Sequence, residues 1–244
     1  SWQPVLSRAK LYELSRQGVE IWDYNTTYVD PAASVGAGTA LLPGTILRGQ
    51  TSVGKNCTIG PNSYLENARV GDGTKVNASQ IYNSSVGYDT HVGPFAYIRP
   101  GSSVGNCVRV GDFVEIKNSN VSDGTKISHL TYVGDSDVGK NVNFGCGTVT
   151  VNYDRAKKYR TVIEDSAFIG CNTNLIAPVR VGEGAYIAAG STITDDIPAM
   201  ALSLARARQV QACAAQARER ARNAMESTML RVSLMPAYRA ASRL

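Results

Sequence analysis

Residues 86–116 read VGYDTHVGPFAYIRPGSSVGNCVRVGDFVEI, and Val86, Val92, Ile98, Val104, Val110 and Ile116 fall at every sixth place. Working outward, the same interval joins Val35, Leu41, Leu47, Val53, Ile59 and Leu65, then Val70 and Val76. It returns in Val121, Ile127 and Val133, and again in Ile163, Ile169, Leu175, Val181, Ile187 and Ile193. Glycine often follows the aliphatic residue, as at Gly36, Gly54, Gly87, Gly105 and Gly182. A period of six fits neither an amphipathic helix nor a long alternating strand. It fits a parallel β-helix of hexapeptide repeats, in which each hexad is one short strand and one turn. The aliphatic residue points inward, and three hexads close a triangular coil of 18 residues whose strands pair with the next coil about 4.8 Å away. Five-residue units, from Leu65 to Val70, Ile116 to Val121 and Val133 to Val138, are absorbed in turns. Between Val35 and Ile193 there is room for roughly nine coils on that geometry. An ordinary β-sandwich would not repeat one interval six times in succession.

Three segments leave the repeat. The prism is expected over 31–198. Residues 1–30 form an arm and linker that open with a helix over 1–18, with Leu6, Ala9 and Leu14 on its apolar face and Gly18 as its stop. Residues 151–162, VNYDRAKKYRTV, are expected to loop out of the prism. A long excursion from a regular solenoid commonly serves a site or a neighbouring subunit. Residues 199–244 form a tail, expected to be helical from Gln209 to about Arg222.

The chain has 244 residues, 43% of them hydrophobic and 18% charged, enough to bury a core without disulfide or metal. No run approaches the ~18 apolar residues of a membrane span, and no secretory pattern opens the sequence. Five cysteines (Cys57, Cys107, Cys146, Cys171 and Cys213) without C-x-x-C spacing read as free thiols of a cytoplasmic protein. The net charge of +5 lies mostly in residues 211–244, with six arginines against two glutamates. The body shows no basic stripe and no aromatic-basic interleaving, so nucleic acid is not expected as a partner.

Only two histidines are present, His91 and His129. His91 sits in a plain hexad, whereas His129 lies in Ser128-His129-Leu130-Thr131-Tyr132 among polar neighbours. Arg99 follows inward Ile98, and Lys117 follows inward Ile116 one coil later, so both face outward on adjacent rungs. They are either two solvated surface cations or a phosphate clamp, with Arg99 forking and Lys117 acting as a point charge. His129 and Cys146 stand 17 residues apart across one short unit, which places them on neighbouring coils. Glu115 precedes Lys117 by two and is expected either to pair with it in an ordinary surface salt bridge or to orient a nearby group. Two separated histidines cannot supply a three-histidine metal centre, and no Walker loop, serine elbow or dinucleotide fingerprint has a supporting context.

The motifs Gly93-Pro94-Phe95-Ala96, Val110-Gly111-Asp112-Phe113-Val114-Glu115-Ile116-Lys117, Ser128-His129-Leu130-Thr131-Tyr132-Val133-Gly134-Asp135, Asn152-Tyr153-Asp154 and Asn174-Leu175-Ile176-Ala177-Pro178 carry a resemblance. Over roughly residues 1–210 the chain resembles the acetyltransferase domain of bacterial bifunctional N-acetylglucosamine-1-phosphate uridylyltransferase/glucosamine-1-phosphate acetyltransferases. The resemblance implies a left-handed β-helix, a homotrimer with sites between subunits, and acetyl transfer from acetyl-CoA to the amine of glucosamine 1-phosphate. It implies His129 as general base, with Arg99, Lys117, Tyr132, Asn143 and Lys158 on the sugar phosphate. It places acetyl-CoA against Cys146, Asn152, Tyr153, Cys171, Ala189 and Arg206, with no metal needed for this half-reaction. Cys146 and Cys171 stand where the family is expected to carry small residues. Nothing in the chain supplies the family's glycine-rich UTP loop, so uridylyl transfer is not expected of it. A different acceptor, or a non-catalytic trimerisation module, are the alternatives.

Overall fold

The structure, a computed structural model, describes residues 3–209 together with 222, 223, 225 and 226. Strands of two to four residues stack into three parallel sheets of 11, 10 and 9 strands, which form the sides of a left-handed β-helix. Each strand pairs with its equivalent one coil on, as Val92 with Val110 and Ile98 with Ile116. The pairing runs wider than 31–198: Glu20–Ile21 opens the first sheet, and Leu202–Ser203 closes it against Tyr186–Ile187. Ser1–Arg206 and Ala207–Leu244 are two separate compact units. In the second, residues 222, 223, 225 and 226 are helical. The rest of the expected tail helix beyond Gln209 lies outside the described residues, as does Cys213.

The hexad reading accounts for the core. Leu41, Leu47, Ile59, Leu65, Ile98, Ile116, Ile127, Ile169, Leu175 and Ile187 are wholly buried, each stabilising by roughly 1.5–3 kcal/mol relative to exposure. Two stretches read as breaks are continuous inside. Ile81 fills the place between Val76 and Val86, and Val138, Phe144 and Thr150 carry the inward column past Val133. A second inward column of small residues stands at the corners, and several of its hydroxyls are bonded in both directions, whereas those of Thr27, Ser102 and Thr161 are buried without a partner among the described residues. Thr39 Oγ1 donates to the Gly54 carbonyl at 2.8 Å and accepts the Cys57 amide at 3.0 Å. Such pairing removes the penalty of a buried hydroxyl.

The helix spans Gln3–Arg16, and Gly18 follows at φ +90°. Its buried face is Ser7, Leu11 and Leu14, whereas Leu6 and Ala9 are exposed. Ser7 is inward because its hydroxyl accepts the Val29 amide at 3.0 Å. A hydrogen bond to the first coil outweighs the apolarity of Leu6. The body also carries the basic stripe that the linear sequence hid. Lys75, His91, Arg109 and Lys126 occupy one outward column on consecutive rungs. They are 16 to 18 residues apart, so only the coil brings them together.

Candidate active site

One edge of the prism carries the histidine. The strands Arg109–Asp112 and Lys126–His129 pair with Asp112 directly beside His129. His129 Nδ1 lies 2.6 Å from Asp112 Oδ1. The hydrogen bond from His129 holds the Asp112 carboxyl below the ordinary range, helped by its own backbone amide. With Asp112 accepting a hydrogen bond from Nδ1–H, Nε2 is the ring nitrogen left without a protein partner among the described residues. The His129 side chain is 60% exposed, so that nitrogen is accessible. The edge continues through a ladder of backbone bonds. Gly147 N donates to Leu130 O at 3.1 Å, Asn172 N to Cys146 O at 2.8 Å and Gly190 N to Cys171 O at 2.8 Å. His129, Cys146, Cys171 and Ala189 thus follow one another along the edge, and Arg206 runs beside Gly190 at its end. Cys146 is half-buried and Cys171 exposed, and both are free thiols, as are Cys57 and Cys107.

A second group lies on the neighbouring sheet. Arg99 and Lys117 do sit on adjacent rungs, through the pairing of Ile98 with Ile116, but neither is a bare cation. Arg99 Nη1 meets Glu115 Oε1 at 2.8 Å, so Glu115 pairs with Arg99 rather than with Lys117. The reason is strand geometry: Glu115 stands opposite Tyr97, beside Arg99, and Arg99 also lies over the Tyr97 ring at 5.9 Å. Lys117 Nζ is 3.7 Å from Oδ2 of Asp135. Asp135, only 5% exposed, accepts from Asn118 Nδ2 at 2.5 Å on Oδ1 and from Asn152 Nδ2 on Oδ2. Burial pushes Asp135 up, but the Asn118 bond, the Lys117 charge and the Asn152 bond outweigh it and hold the carboxyl below its usual value. Asn152 also reaches the Tyr132 hydroxyl at 3.4 Å. The Tyr132 ring packs against Gly134, where a methyl group would collide with it. Lys158 joins the group from the insert, and the close approach of Lys117 holds it below its ordinary value.

The insert is shorter than 151–162. Val151 still pairs with Ile176 and Thr161 with Val179, so the excursion runs over 152–160. It folds on itself around Asp154, which accepts the Ala156 and Lys157 amides at 2.8 Å and the Tyr159 hydroxyl at 2.9 Å. Arg160 pins its end to Asp137 at 2.6 Å. Tyr153 stands exposed on it.

The fold therefore gathers Arg99, Lys117 and Tyr132 along one sheet with Asn152 and Lys158 of the insert, and His129, Cys146, Cys171, Ala189 and Arg206 along one edge. Asn143 does not join either. It opens the strand Asn143–Phe144 on the outer face of the first sheet, between Lys126 and Phe168. Two carboxylates escaped the reading of the sequence. Asp112 precedes His129 by 17 residues and Asp135 follows Lys117 by 18, and both intervals are single coils. Among the described residues no group of three or more histidine, cysteine, aspartate or glutamate side chains is placed to hold a metal ion.

Two repeat families match the chain: Bacterial transferase hexapeptide (six repeats) over residues 160–195, and Hexapeptide repeat of succinyl-transferase over residues 50–78. The bifunctional protein GlmU of Brevibacillus brevis is 53% identical over 195 residues, covering 80% of this chain and 42% of the relative. That of a Geobacillus species is 55% identical over 193 residues, covering 79% and 42%. The chain is a hexapeptide-repeat relative of GlmU. It spans about two fifths of the length of those relatives. GlmU of Clostridioides difficile matches to the same extent, 53% identical over 193 residues, 79% of this chain and 42% of its own. Among solved structures, UDP-N-acetylglucosamine O-acyltransferase (LpxA) of Moraxella catarrhalis overlays with a TM-score of 0.40 at 13% identity, over 65% of this chain and 68% of that one.

Proposed function

We propose that the chain transfers the acetyl group of acetyl-CoA to the amine of glucosamine 1-phosphate, giving N-acetylglucosamine 1-phosphate for UDP-N-acetylglucosamine synthesis. The observation that carries this reading is the His129–Asp112 pair at the head of the Cys146–Cys171–Ala189 edge, beside the Arg99–Lys117–Lys158 group. In this reading acetyl-CoA lies along the edge with its thioester at His129. The sugar ammonium sheds one proton to become a nucleophile, and its nitrogen then attacks the acetyl carbon. His129 Nε2 takes the second proton as the C–N bond forms, and ionised Asp112 stabilises the imidazolium. The C–S bond breaks, and the CoA thiolate recovers the proton from His129. No covalent enzyme intermediate and no metal enter the scheme. Arg99, Lys117 and Lys158 hold the phosphate so that the amine faces the thioester, a positioning contribution.

The functional unit in this reading is a cytoplasmic homotrimer with each site shared between subunits. In this reading Asn143 reaches the sugar phosphate held by a neighbouring copy. The same face carries Phe168 stacked on Tyr186 at 4.5 Å, with Leu202 on the next rung, all exposed in one chain. At the His129 edge, Phe95, Phe113 and Leu130 adopt φ of +58°, +54° and +44° while more than half exposed. Left-handed backbone costs bulky residues roughly 1–2 kcal/mol each, a strain expected where another contact compensates it. The Arg99–Glu115 ion pair favours a second reading, an acceptor without a phosphate. The test follows thiol release from acetyl-CoA with glucosamine 1-phosphate and with glucosamine side by side, on protein sized by light scattering. Release with the sugar phosphate by a trimer is expected. Equal release with glucosamine selects the second reading, and no release with either overturns acetyl transfer to a glucosamine amine.

A further inference from the structure

Asp135 is a buried carboxylate that the acetyl-transfer scheme does not use. Its position on the chain is costly twice over. The side chain is 7% exposed, and the backbone is left-handed at φ +48°. Removing a carboxylate from water is expensive unless the charge is paired and hydrogen-bonded, and here both conditions hold. Oδ1 takes the Asn118 amide at 2.5 Å. Oδ2 takes the Asn152 amide and faces Lys117 Nζ at 3.7 Å. The backbone is fixed as well, since Asp135 N donates to Lys117 O at 2.9 Å and Asp135 O accepts from Thr161 N at 3.1 Å. Those bonds place the residue where the insert departs and returns. One oxygen is thus anchored to a residue with no part in binding, while the other bonds to Asn152 and forms an ion pair with Lys117, two residues that have different parts. In the proposed reaction Lys117 holds the acceptor's phosphate, and the resemblance in sequence implies that Asn152 contacts the donor.

We propose that Asp135 is a positioning residue shared by the two halves of the site. A single carboxylate, held in one rotamer by Asn118, sets the Lys117 ammonium and the Asn152 amide at a fixed separation and so registers donor against acceptor. This rests on the acetyl-transfer reading above. Charge alone and positioning predict opposite signs. A carboxylate beside a phosphate site repels the phosphate, so removing its charge would tighten the sugar phosphate if charge were all it supplied. If it acts by holding Lys117 and Asn152 in place, removing it weakens both substrates together.

The experiment is steady-state kinetics of Asp135→Asn in the full chain, with KM measured separately for acetyl-CoA and glucosamine 1-phosphate. Asparagine is isosteric and tolerates left-handed backbone, so the fold is expected to persist. The expected result is a rise of about tenfold in both KM values, the scale of losing a charge-assisted hydrogen bond. In an Asn152→Ala background the same change should add little to the acetyl-CoA KM, because the intermediary is already gone. A fall in KM for the sugar phosphate, or both values within twofold of wild type, overturns the proposal while leaving the acetyl-transfer reading standing. A wild-type protein that acetylates no glucosamine acceptor overturns both. Should Asp135→Asn not fold, Asn118→Gly decides. It frees the carboxylate to rotate without removing its charge, and glycine suits the φ of +46° at that position. A smaller parallel rise in both KM values supports positioning, and unchanged values overturn it.

Discussion

The two ends of the candidate site are built in opposite ways. At the edge, His129 is mostly exposed and its ring is held by one contact, to Asp112. On the neighbouring sheet, Asp135 is buried, hydrogen-bonded to Asn118 and Asn152 and ion-paired with Lys117. A group that must approach a substrate and exchange a proton needs access, and one orienting bond suffices to choose its tautomer. A group that sets distances between other side chains needs rigidity, which burial and multiple bonds supply. If this contrast is sound, changes at the edge should alter turnover, and changes on the sheet should alter binding.

The largest effect expected is from His129→Ala, with turnover falling on the order of 10²–10⁴-fold, the range for losing a general base. Its melting temperature and oligomer size should stay at wild-type values, because the side chain is exposed and buries little. Near-normal turnover in the folded variant would assign the base elsewhere and dissolve the contrast. Next come Arg99→Ala and Lys117→Ala, each expected to raise KM for the sugar phosphate roughly 10- to 150-fold with kcat less affected. Arg99→Lys should recover only part of that, since one ammonium cannot reproduce the guanidinium fork. A rise under threefold in all three would make the pair ordinary surface charge. Asp112→Asn should lower kcat by about 10- to 100-fold with KM values nearly unchanged, as expected for an orienting charge-assisted bond.

The smallest effect concerns stability against pH. Asp135 is held below its ordinary carboxyl value of 3.8, so its ionised form favours the folded state. Its contribution is therefore complete above the ordinary value and is lost as pH falls below about 4 toward the depressed folded value. Thermal melts of wild type and Asp135→Asn should differ most near neutrality and converge below that window. A gap that widened in acid would contradict the assigned sign.

Most of the prism was legible from the interval of six alone, because each inward aliphatic residue is wholly or nearly buried and the period is a property of single hexads. What escaped detection depends on the coil rather than the hexad. Thr150 hides an inward position behind a polar side chain, and Ile81 lies between two short units that disrupt the count. The site shows the same division. Arg99 and Lys117, 18 residues apart, were readable as neighbours, but Glu115 went to Arg99 because the choice depends on a side-chain path across one rung. Asp112 and Asp135 stand one coil from His129 and Lys117, an interval that the repeat itself supplies and that a search for local motifs passes over. The Ser7 face of the helix was illegible for a related reason: its partner is a backbone amide 22 residues away.

The account turns on acetyl transfer to the nitrogen of a phosphorylated amino sugar. The most direct measurement incubates the purified chain with isotopically labelled acetyl-CoA and glucosamine 1-phosphate and identifies the labelled product by mass spectrometry. The account predicts label in an amide of N-acetylglucosamine 1-phosphate, formed in proportion to protein and absent with His129→Ala. Label found in an ester, on the protein itself or in acetate alone would contradict it.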